Sequence, residues 1–241
     1  MNLKLNGKTA LVTGGSSGLG AAICRGLIAE GVRTWSIDRK EPKDAEVGFI
    51  HTDLAEPESV QTVLARGREA AAGAPDILVN CAGYWPTHFV KETSLGEWQR
   101  TLNINLTSLF VLCRDFVNDC LDGKRRGVIL NIASQAAFGG ATSGHADYAA
   151  AKAGVVNFTK SLAREVAAAG IRVNALAPGM METPMAAEAL SERREKYLER
   201  IPLGRIADAS EVADVAVFLC SDRAGYMTGT TVDVSGGMIM R

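Results

Sequence analysis

The amino-acid sequence predicts an α/β fold, a doubly wound parallel sheet with helices on both of its faces. Apolar runs alternate with helical stretches from one end of the chain to the other. Strands that are apolar along their whole length are typical of parallel sheets covered on both sides. A glycine-rich turn follows the first apolar run and leads directly into a helical stretch. These observations favour successive strand and helix units joined by right-handed crossovers.

Seven strands are expected, and helices fill the intervals between them. The apolar runs cover residues 9–12, 34–37, 48–51, 77–80, 128–132, 171–177 and 230–234. No repeat, low-complexity tract or linker divides them, so we expect residues 1–241 to form one domain. Residues 180–200 depart from the alternation and are rich in Met, Ala, Glu and Arg. We expect a helical insertion that covers a cleft, with a surface pair of helices as the alternative.

Composition and charge narrow the classes of function. The 241 residues are 47% hydrophobic and 22% charged, with a formal net charge of −1. This balance fits a globular protein and carries no electrostatic footprint for nucleic acid or an anionic membrane. The first residues lack the apolar core of a signal peptide, and no run of about 18 apolar residues occurs. We therefore expect a soluble, cytoplasmic protein.

The cysteines and histidines do not form a metal-binding pattern. Five cysteines are widely spaced without a Cys-x-x-Cys pair, and the three histidines lack neighbours that would complete a site. Scattered cysteines in an odd number favour reduced thiols. Metal catalysis is therefore not expected.

The turn after the first strand has the features of a phosphate-binding site. Glycines at the carboxyl end of a strand permit a tight turn, so a pyrophosphate can rest on the free N–H groups of the next helix, as in Rossmann-type sheets. The sequence lacks the Gly-Lys-Ser/Thr of nucleoside triphosphate hydrolases. A turn without any ligand is the alternative. The expected binding residues and their glycine neighbour are Gly14, Ser16, Ser17, Gly18, Leu19 and Gly20.

Asp38 indicates which dinucleotide is bound. It ends the second strand, 18 residues beyond Gly20, where a carboxylate can accept hydrogen bonds from an adenosine ribose. Its charge would repel the additional phosphate of NADP, so NAD is favoured as the cofactor. The adjacent Arg39 leaves NADP open, because a guanidinium can bind that phosphate if Asp38 turns away.

Asp53 and Leu54 follow the third strand and are expected beside the adenine ring. The carboxylate of Asp53 could reach the adenine amino group. The alternative is an N-cap for the helix that begins near Pro57.

Tyr148 and Lys152 are the candidates for proton transfer. Four residues of separation put a phenol and an ammonium on the same side of a helix, one turn apart. A phenol is a poor base at neutral pH until a nearby positive charge favours its anion, and Lys152 can supply that charge. Ser134, at the end of the fifth apolar run, could hold a substrate oxygen. If Tyr148 and Lys152 are considered without the rest of the chain, the alternative is a surface helix whose lysine is solvated.

These motifs occur in the order of the short-chain dehydrogenase/reductase family, which the sequence resembles over essentially its whole length. The resemblance implies an oxidoreductase that transfers hydride between a nicotinamide cofactor and an alcohol or ketone. Cys81 is a departure, because it replaces a more frequent Asn. The matching residues are Thr13-Gly14-x-x-x-Gly18-x-Gly20, Asn80-Cys81-Ala82-Gly83, Asn105, Ser134, Tyr148-x-x-x-Lys152 and Pro178-Gly179.

The resemblance also implies a role for each matching side chain. Tyr148 would exchange a proton with the substrate oxygen, and Ser134 would hydrogen-bond the same oxygen. Lys152 would lower the pKa of the phenol and hold the nicotinamide ribose. Asn105 would hold a water molecule of the proton relay, whereas Asn103 would face elsewhere. The implied cofactor residues are Asn80, Ala82 and Gly83 on the adenosine side, Pro178 and Gly179, and Thr183 at the nicotinamide carboxamide.

The expected substrate is a small secondary alcohol, with a polyol or sugar derivative preferred. Gln135 and His145 are candidates for substrate contacts, and a structural hydrogen bond is the alternative role for His145. Three segments are expected to line the pocket: residues 84–89, 135–145 and 180–200.

A reductase of 3-oxoacyl groups on carrier protein or CoA is the alternative activity. Val128 and Ala169 stand where such reductases carry basic residues that dock the acidic carrier, although Arg125 and Arg126 lie close by. From another class, a dinucleotide sensor without activity is the alternative. Because the catalytic residues of the family are all present, an active enzyme is favoured over a sensor.

A homotetramer is expected from the resemblance. The helix that follows Tyr148 carries many small residues suited to close packing against another helix. Members of the family commonly pair through this helix and the long helix before it.

Overall fold

A computed structural model describes residues 2–140 and 144–240 of the protein. These residues form a seven-stranded parallel sheet whose strands match all seven predicted runs to within one residue at either end. Its strands are β1 (Thr9–Thr13), β2 (Arg33–Asp38), β3 (Gly48–His51), β4 (Ile77–Asn80), β5 (Gly127–Ile132), β6 (Ile171–Pro178) and β9 (Thr231–Val234).

A second, two-stranded sheet was not predicted. It pairs β7 (Met181–Glu182) with β8 (Ala207–Asp208) in parallel. Two residues are too few to show a strand periodicity, so the sequence pattern gives no sign of these strands.

Helices connect the strands on both sides of the sheet. The described helices are α1 (Gly18–Ala29), α2 (Pro57–Gln61), α3 (Val63–Ala70), α4 (Leu95–Leu102), α5 (Ser108–Asp122), α6 (Ala136–Gly139), α7 (Ala146–Val166), α8 (Ala187–Leu198) and α9 (Ala209–Cys220), with a π-helical segment (Asn103–Thr107) between α4 and α5 and short 3-10 turns at Ala167–Ala169 and Asp222–Ala224. Among these described residues, no helix has the length and apolarity needed to cross a membrane.

The order of the strands confirms the doubly wound parallel sheet. Neighbours in the large sheet run β3-β2-β1-β4-β5-β6-β9. The chain therefore proceeds outward from β1 to β3, returns to β4 beside β1, and then proceeds the other way. Ligands of such sheets bind at this reversal, outside the carboxyl ends of the strands.

Alternate residues of the central strands face the two helical layers. In β1, Leu11 belongs to the core on one face, whereas Ala10 and Val12 belong to the core on the other. The first core contains Phe116 of α5, and the second contains Ile23 of α1. Because both faces are covered, the strands are apolar throughout, which explains why they were recognisable in the sequence.

Candidate active site

One cavity of about 430 Å³ lies at the reversal between β1 and β4. Its size is within the range of small-molecule and cofactor sites. Most of the predicted site residues line it: Gly14, Ser17, Gly18, Leu19, Asp38, Asp53, Leu54, Ala82, Gly83, Ser134, Gln135, Tyr148, Lys152, Pro178, Gly179 and Thr183. Four others, Ser16, Asn80, Asn105 and His145, are not among its lining residues.

The start of α1 is open toward this cavity. The N-cap residue Ser17 makes no side-chain hydrogen bond to the helix, and the first turn contains no acidic residue. The first N–H groups of a helix have no partner within the helix, and the helix dipole adds positive potential there. An anionic group in the cavity therefore meets unused backbone donors at Gly18 and Leu19, which fits a pyrophosphate.

The turn before α1 requires glycine at two positions. Gly14 has a φ of +68°, and a Cβ on it would lie 2.9 Å from the Cα of Ala82. A Cβ on Gly20 would lie 2.1 Å from the carbonyl oxygen of Gly14. The side chain of Thr13 completes the turn, since its Oγ1 accepts hydrogen bonds from the backbone N–H groups of Cys81 and Ala82.

Ser16 supports the turn from outside the cavity. Its Oγ lies 2.8 Å from the Oγ of Ser36, and its backbone N donates to Asp38 Oδ2 at 3.3 Å. The interpretation of Ser16 as a cofactor contact therefore applies at most to its backbone, because its hydroxyl is hydrogen-bonded to Ser36 of β2.

Backbone donors hold the carboxylate of Asp38. Its Oδ1 accepts from the N–H groups of Arg39 at 2.7 Å and Lys40 at 3.2 Å. Together with the bond from Ser16, these contacts fix the carboxylate in the cavity wall at the carboxyl end of β2. Turning Asp38 away would break all three bonds.

Arg39 and Lys40 also line the cavity. The Nη1 of Arg39 lies 3.9 Å from Asp53 Oδ2, with the side chain of Arg39 exposed and that of Asp53 partly buried. Asp53 Oδ1 accepts from the N–H of Ala55 at 2.9 Å. Glu56, rather than Asp53, is the N-cap residue of α2, so the alternative role considered for Asp53 is wrong.

The side chain of Asn80 faces the sheet rather than the cavity. Its Nδ2 donates to Asn131 Oδ1 at 2.9 Å and lies 3.2 Å from Cys113 Sγ. This buried amide ties β4 to β5 and to α5. Its predicted contact with the adenosine side of a cofactor is therefore not available to the side chain, which acts by shaping the strand end that carries Ala82 and Gly83.

Tyr148, Ser134 and Lys152 converge on the cavity from α7 and from the end of β5. The hydroxyl of Ser134 acts on the phenol of Tyr148 and lowers its pKa. The Nζ of Lys152 lies 5.6 Å from the centroid of the Tyr148 ring and donates to the carbonyl of Ile132 at 2.7 Å. The arrangement places an ammonium beside a phenol, one helical turn apart, as the sequence spacing predicts.

Burial dominates the ionisation of both groups. It raises the pKa of Tyr148 to about 12, and the hydrogen bond with Ser134 only partly offsets this. Burial lowers the pKa of Lys152 to about 8, so the ammonium is the major form at pH 7. The sequence predicted that Lys152 would lower the pKa of the phenol. In the protein alone the net shift has the opposite sign, because desolvation of the phenolate outweighs the effect of Ser134.

Cys81 is a neutral thiol in the same wall. Burial raises its pKa to about 12, although Lys152 acts in the opposite direction. Because the thiolate is the nucleophilic form, this environment does not suit a nucleophile, in line with the interpretation of the sequence. All five cysteines are free.

Asn105 lies inside the π-helical segment, and its side chain is fully engaged by neighbouring backbone. Its Nδ2 donates to the carbonyls of Tyr84 and Thr101, each at 2.9 Å, and its Oδ1 accepts from the N–H of Tyr84 at 3.1 Å. Asn103 faces elsewhere, as expected, and donates to the carbonyl of Ala55. The amide of Asn105 therefore anchors the segment after β4, and its role in a proton relay stays a prediction.

His145 supports the pocket wall from behind. Its Nδ1 lies 2.6 Å from the carbonyl oxygen of Pro86, and its ring stacks on Trp85 at a centroid distance of 4.6 Å. Trp85 lines the cavity, and its ring centroid is 6.4 Å from that of Tyr148. The structural role considered for His145 is the one found, and Trp85 is the residue that it presents to the cavity.

One lining residue, Arg100, had no signal in the sequence. Arg100 of α4 reaches the cavity, with its guanidinium 5.4 Å from the centroid of the Tyr84 ring. Met180, Met181 and Met185 also line it, so part of residues 180–200 reaches the site as expected. Of the predicted segment 135–145, residues 141–143 lie outside the described residues.

Among the described residues, no group of three or more His, Cys, Asp or Glu side chains is arranged to hold a metal ion.

Known sequences and structures resemble the chain over its whole length. A family model described as Enoyl-(Acyl carrier protein) reductase matches residues 14–239. The 3-oxoacyl-[acyl-carrier-protein] reductase FabG of Vibrio cholerae is 39% identical, over 99% of this chain and 100% of the relative. The FabG of Escherichia coli is 38% identical over the same shares.

Solved structures show the same architecture. A putative 2-deoxy-D-gluconate 3-dehydrogenase from Agrobacterium tumefaciens, with bound NADP, has a TM-score of 0.91 at 36% identity and covers 100% of this chain and 99% of its own. The aldohexose dehydrogenase of Thermoplasma acidophilum has a TM-score of 0.91 at 28% identity, covering 100% and 97%.

The fold and the residues around the cavity define an oxidoreductase of the α/β class that uses a nicotinamide dinucleotide and acts on alcohol or ketone groups. The glycine turn, the open start of α1 and the pair Tyr148 and Lys152 all lie in one cavity. Since the family model and relatives at 37–39% identity span nearly the full chain, the chain belongs to the short-chain dehydrogenase/reductase family.

Proposed function

We propose that the protein is an NAD-dependent dehydrogenase of a small secondary alcohol, with a polyol or sugar derivative as substrate. The observation that carries the catalytic part is the convergence of Tyr148, Ser134 and Lys152 on one cavity, with the buried ammonium of Lys152 5.6 Å from the centroid of the Tyr148 ring. These groups share one cavity with an open helix N-terminus and a fixed carboxylate, Asp38. A reacting carbon can therefore lie between a proton donor and a bound dinucleotide.

The residues perform the proton part of the reaction. When bound, an oxidised nicotinamide supplies the hydride acceptor and a positive charge beside the phenol. Tyr148 takes the proton of the substrate hydroxyl as hydride leaves the carbon, and Ser134 donates a hydrogen bond to the same oxygen as charge develops there. Lys152 stabilises the phenolate through its ammonium. In the reverse direction Tyr148 returns the proton.

The choice of NAD over NADP rests on Asp38. Its carboxylate accepts three backbone hydrogen bonds and has no cation within ion-pair distance among the described residues, so it is available to a ribose hydroxyl and repels a phosphate. Arg39 and Lys40 in the same wall, and the NADP in the Agrobacterium relative, favour the other cofactor.

Replacing Asp38 with Ala is expected to reverse the cofactor preference. Loss of a charged hydrogen bond of about 1.5–3 kcal/mol should weaken NADH binding about 10- to 100-fold, and NADPH should bind more tightly once the repulsion is removed. Dissociation constants measured by quenching of protein fluorescence check both effects. Arg39→Ala is the matched control and should weaken the binding of NADPH but not that of NADH. Tighter binding of NADPH than NADH by the wild-type protein would show that the NAD assignment is wrong.

The substrate proposal rests on the wall beside Tyr148. The flat indole of Trp85, held by His145, offers an apolar face, and Gln135 offers an amide next to Ser134. An aromatic face with adjacent polar groups suits a polyhydroxylated ring or chain. The two relatives described as 2-deoxy-D-gluconate and aldohexose dehydrogenases support this class.

Reduction of a 3-oxoacyl thioester is the second candidate, which the FabG relatives favour. Of the two arginines near Val128 and Ala169, Arg125 is paired with Asp119 and also donates to the carbonyl of Pro75. Arg126 is exposed beside Gly170, so it is the cation that could dock an acidic carrier. A direct comparison of D-glucose, D-gluconate, 2-deoxy-D-gluconate, simple polyols and 3-hydroxybutyryl-CoA, each with NAD and NADP, separates the two. Turnover of the thioester alone would replace the sugar proposal by the second candidate.

We also propose one domain over residues 1–241, a substrate-covering role for residues 180–200, a cytoplasmic location and a homotetramer. The methionines that line the cavity support the covering role. Free thiols suit a reducing compartment. Phe110 on α5 is 44% exposed and contacts Phe158 of α7 edge-to-face, which leaves apolar surface on these two helices.

Phe110→Glu is expected to dissociate the proposed assembly. A charge in a helical interface is desolvated, and Arg114, whose guanidinium lies 5.9 Å from the centroid of the Phe110 ring, is already paired with Asp115. Association should therefore weaken by several kcal/mol, on the order of 2–5. Light scattering coupled to size-exclusion chromatography should give a smaller mass than wild type. The same change at Tyr226, which is fully exposed and lies outside α5 and α7, serves as comparison. An unchanged mass for Phe110→Glu argues against pairing through α5 and α7.

A further inference from the structure

We propose that Asp147 is a positioning residue of this active site. Its buried carboxylate holds Tyr148 and Asn105 at fixed positions relative to one another. The inference rests on the proposed function, because it assigns a role in a reaction that Tyr148 carries. Asp147 directly precedes Tyr148 and is 2% exposed. It does not line the cavity, so it acts through its neighbours rather than on a substrate.

The carboxylate of Asp147 contacts three separate parts of the chain. Its Oδ1 accepts from the backbone N–H of Tyr148 at 2.8 Å, and its Oδ2 accepts from Thr101 Oγ1 at 2.7 Å. The Nε2 of His88 lies 3.4 Å from the same Oδ2. One buried side chain therefore ties the first turn of α7 to α4 and to the segment after β4.

The contact with Thr101 extends to the π-helical segment. The carbonyl of Thr101 accepts a hydrogen bond from Asn105 Nδ2, which also donates to the carbonyl of Tyr84. A continuous path of hydrogen bonds thus runs from Tyr148 N through Asp147 and Thr101 to Asn105. A shift of Asp147 would move the two ends of this path relative to one another.

The histidines join the same two segments a second time. The backbone N of His88 donates to the carbonyl of Gly144 at 2.8 Å, and the Nδ1 of His145 lies 2.6 Å from the carbonyl oxygen of Pro86. The wall that carries Trp85 is thereby held against the start of α7. Asp147 supplies the charged member of this junction.

A buried carboxylate is costly unless hydrogen bonds and positive potential compensate it. Here a backbone N–H and a hydroxyl donate to it, the imidazole of His88 lies 3.4 Å away, and it lies in the first turn of α7, where the helix dipole favours an anion. An apolar residue would fill this volume without that cost, but it could not bind Thr101 and the N–H of Tyr148 together. Directional bonds to both sides are what a positioning role requires.

Asp147→Ala is the first test, with the fastest substrate of the panel above and with NADH. We expect kcat to fall about 10- to 100-fold while KM and the dissociation constant for NADH stay within about threefold, because a displacement near 1 Å impairs reaction geometry more than binding. Asp147→Asn keeps the acceptor for Tyr148 N and a polar partner for Thr101, and should stay within about threefold of wild type in kcat. Full kcat in Asp147→Ala, or a loss of NADH binding parallel to the loss of turnover, overturns the proposal.

Thr101→Val decides the question if Asp147→Ala does not fold. It removes only the bond to Asp147 and keeps the volume, so kcat should fall about 3- to 10-fold with NADH binding unchanged. Thr34→Val is the matched control, because Thr34 is also buried, in β2, and its hydroxyl donates to the carbonyl of Val32 in the same segment. Equal kcat values for the two variants would overturn the proposal. Turnover by Tyr148→Phe would instead remove the proposed function itself, whereas an inactive Tyr148→Phe beside a fully active Asp147→Ala removes only the positioning role.

Discussion

Tyr148→Phe is expected to lower kcat by about 10²- to 10⁴-fold, the usual contribution of a positioned acid or base. The substitution removes one oxygen atom and keeps the ring, so the shape of the cavity wall changes little. NADH should bind with an unchanged dissociation constant. Steady-state kinetics with the substrate panel and fluorescence titration with NADH measure the two quantities separately.

The comparison that isolates this effect is Tyr226→Phe. Tyr226 is fully exposed and far along the chain from the cavity wall, so its hydroxyl should be dispensable. Wild-type turnover in Tyr148→Phe would show that the proton comes from another group. If the wild-type protein binds NADH tightly but turns over none of the alcohols, the dinucleotide sensor is favoured instead.

The sequence predicted the parts of the site that depend on local chain geometry. The spacing of Tyr148 and Lys152 specifies their shared helix face, and glycines after a strand specify the open turn before α1. The end of an apolar run predicts the position of Asp38 at the carboxyl end of β2. These are short-range relations, so periodicity and residue type suffice to read them.

The features that the sequence missed depend on contacts between distant segments. Asn80 was expected beside the cofactor, yet the amide of its side chain donates to Asn131. For His145 the sequence left a substrate contact and a structural hydrogen bond open, and the tertiary contact with Pro86 is the structural one. Arg100 reaches the cavity because of the way α4 packs, which no local pattern reveals. The sign of the pKa shift of Tyr148 likewise depends on how deeply the folded chain buries the phenol.

Lys152→Met is expected to make the protein more stable and nearly inactive. Without the ammonium beside Tyr148, kcat should fall about 10²- to 10³-fold, as on loss of other preorganised charges. Methionine fills a similar volume and has no charge to desolvate. The carbonyl of Ile132 loses its partner, which costs about 1 kcal/mol. A net gain of about 1–2 kcal/mol in the free energy of unfolding at pH 7 should remain, or about 2–6 °C in Tm.

The pH dependence identifies the cause of that gain. Burial lowers the pKa of Lys152 from 10.5 to about 8. Below pH 8 the lysine is charged in the folded and the unfolded chain, so the folded state bears the whole desolvation cost. Between pH 8 and 10.5 the folded protein releases the proton that the unfolded chain retains, and wild-type stability relative to the variant therefore rises with pH. The advantage of Lys152→Met should be largest at pH 7 and shrink toward pH 10.

Lys160→Met on the same helix provides the matched comparison. Lys160 is exposed on α7, so its replacement should change neither stability nor turnover appreciably. Urea unfolding of wild type and both variants at pH 7 and pH 9.5 measures the difference. Two results would mean that the ammonium is not desolvated in the folded protein. One is a Lys152→Met variant that is less stable than wild type at pH 7, and the other is a difference in free energy of unfolding that is the same at both pH values. A confirmed gain would show that this site retains a destabilising charge because the reaction at Tyr148 depends on it.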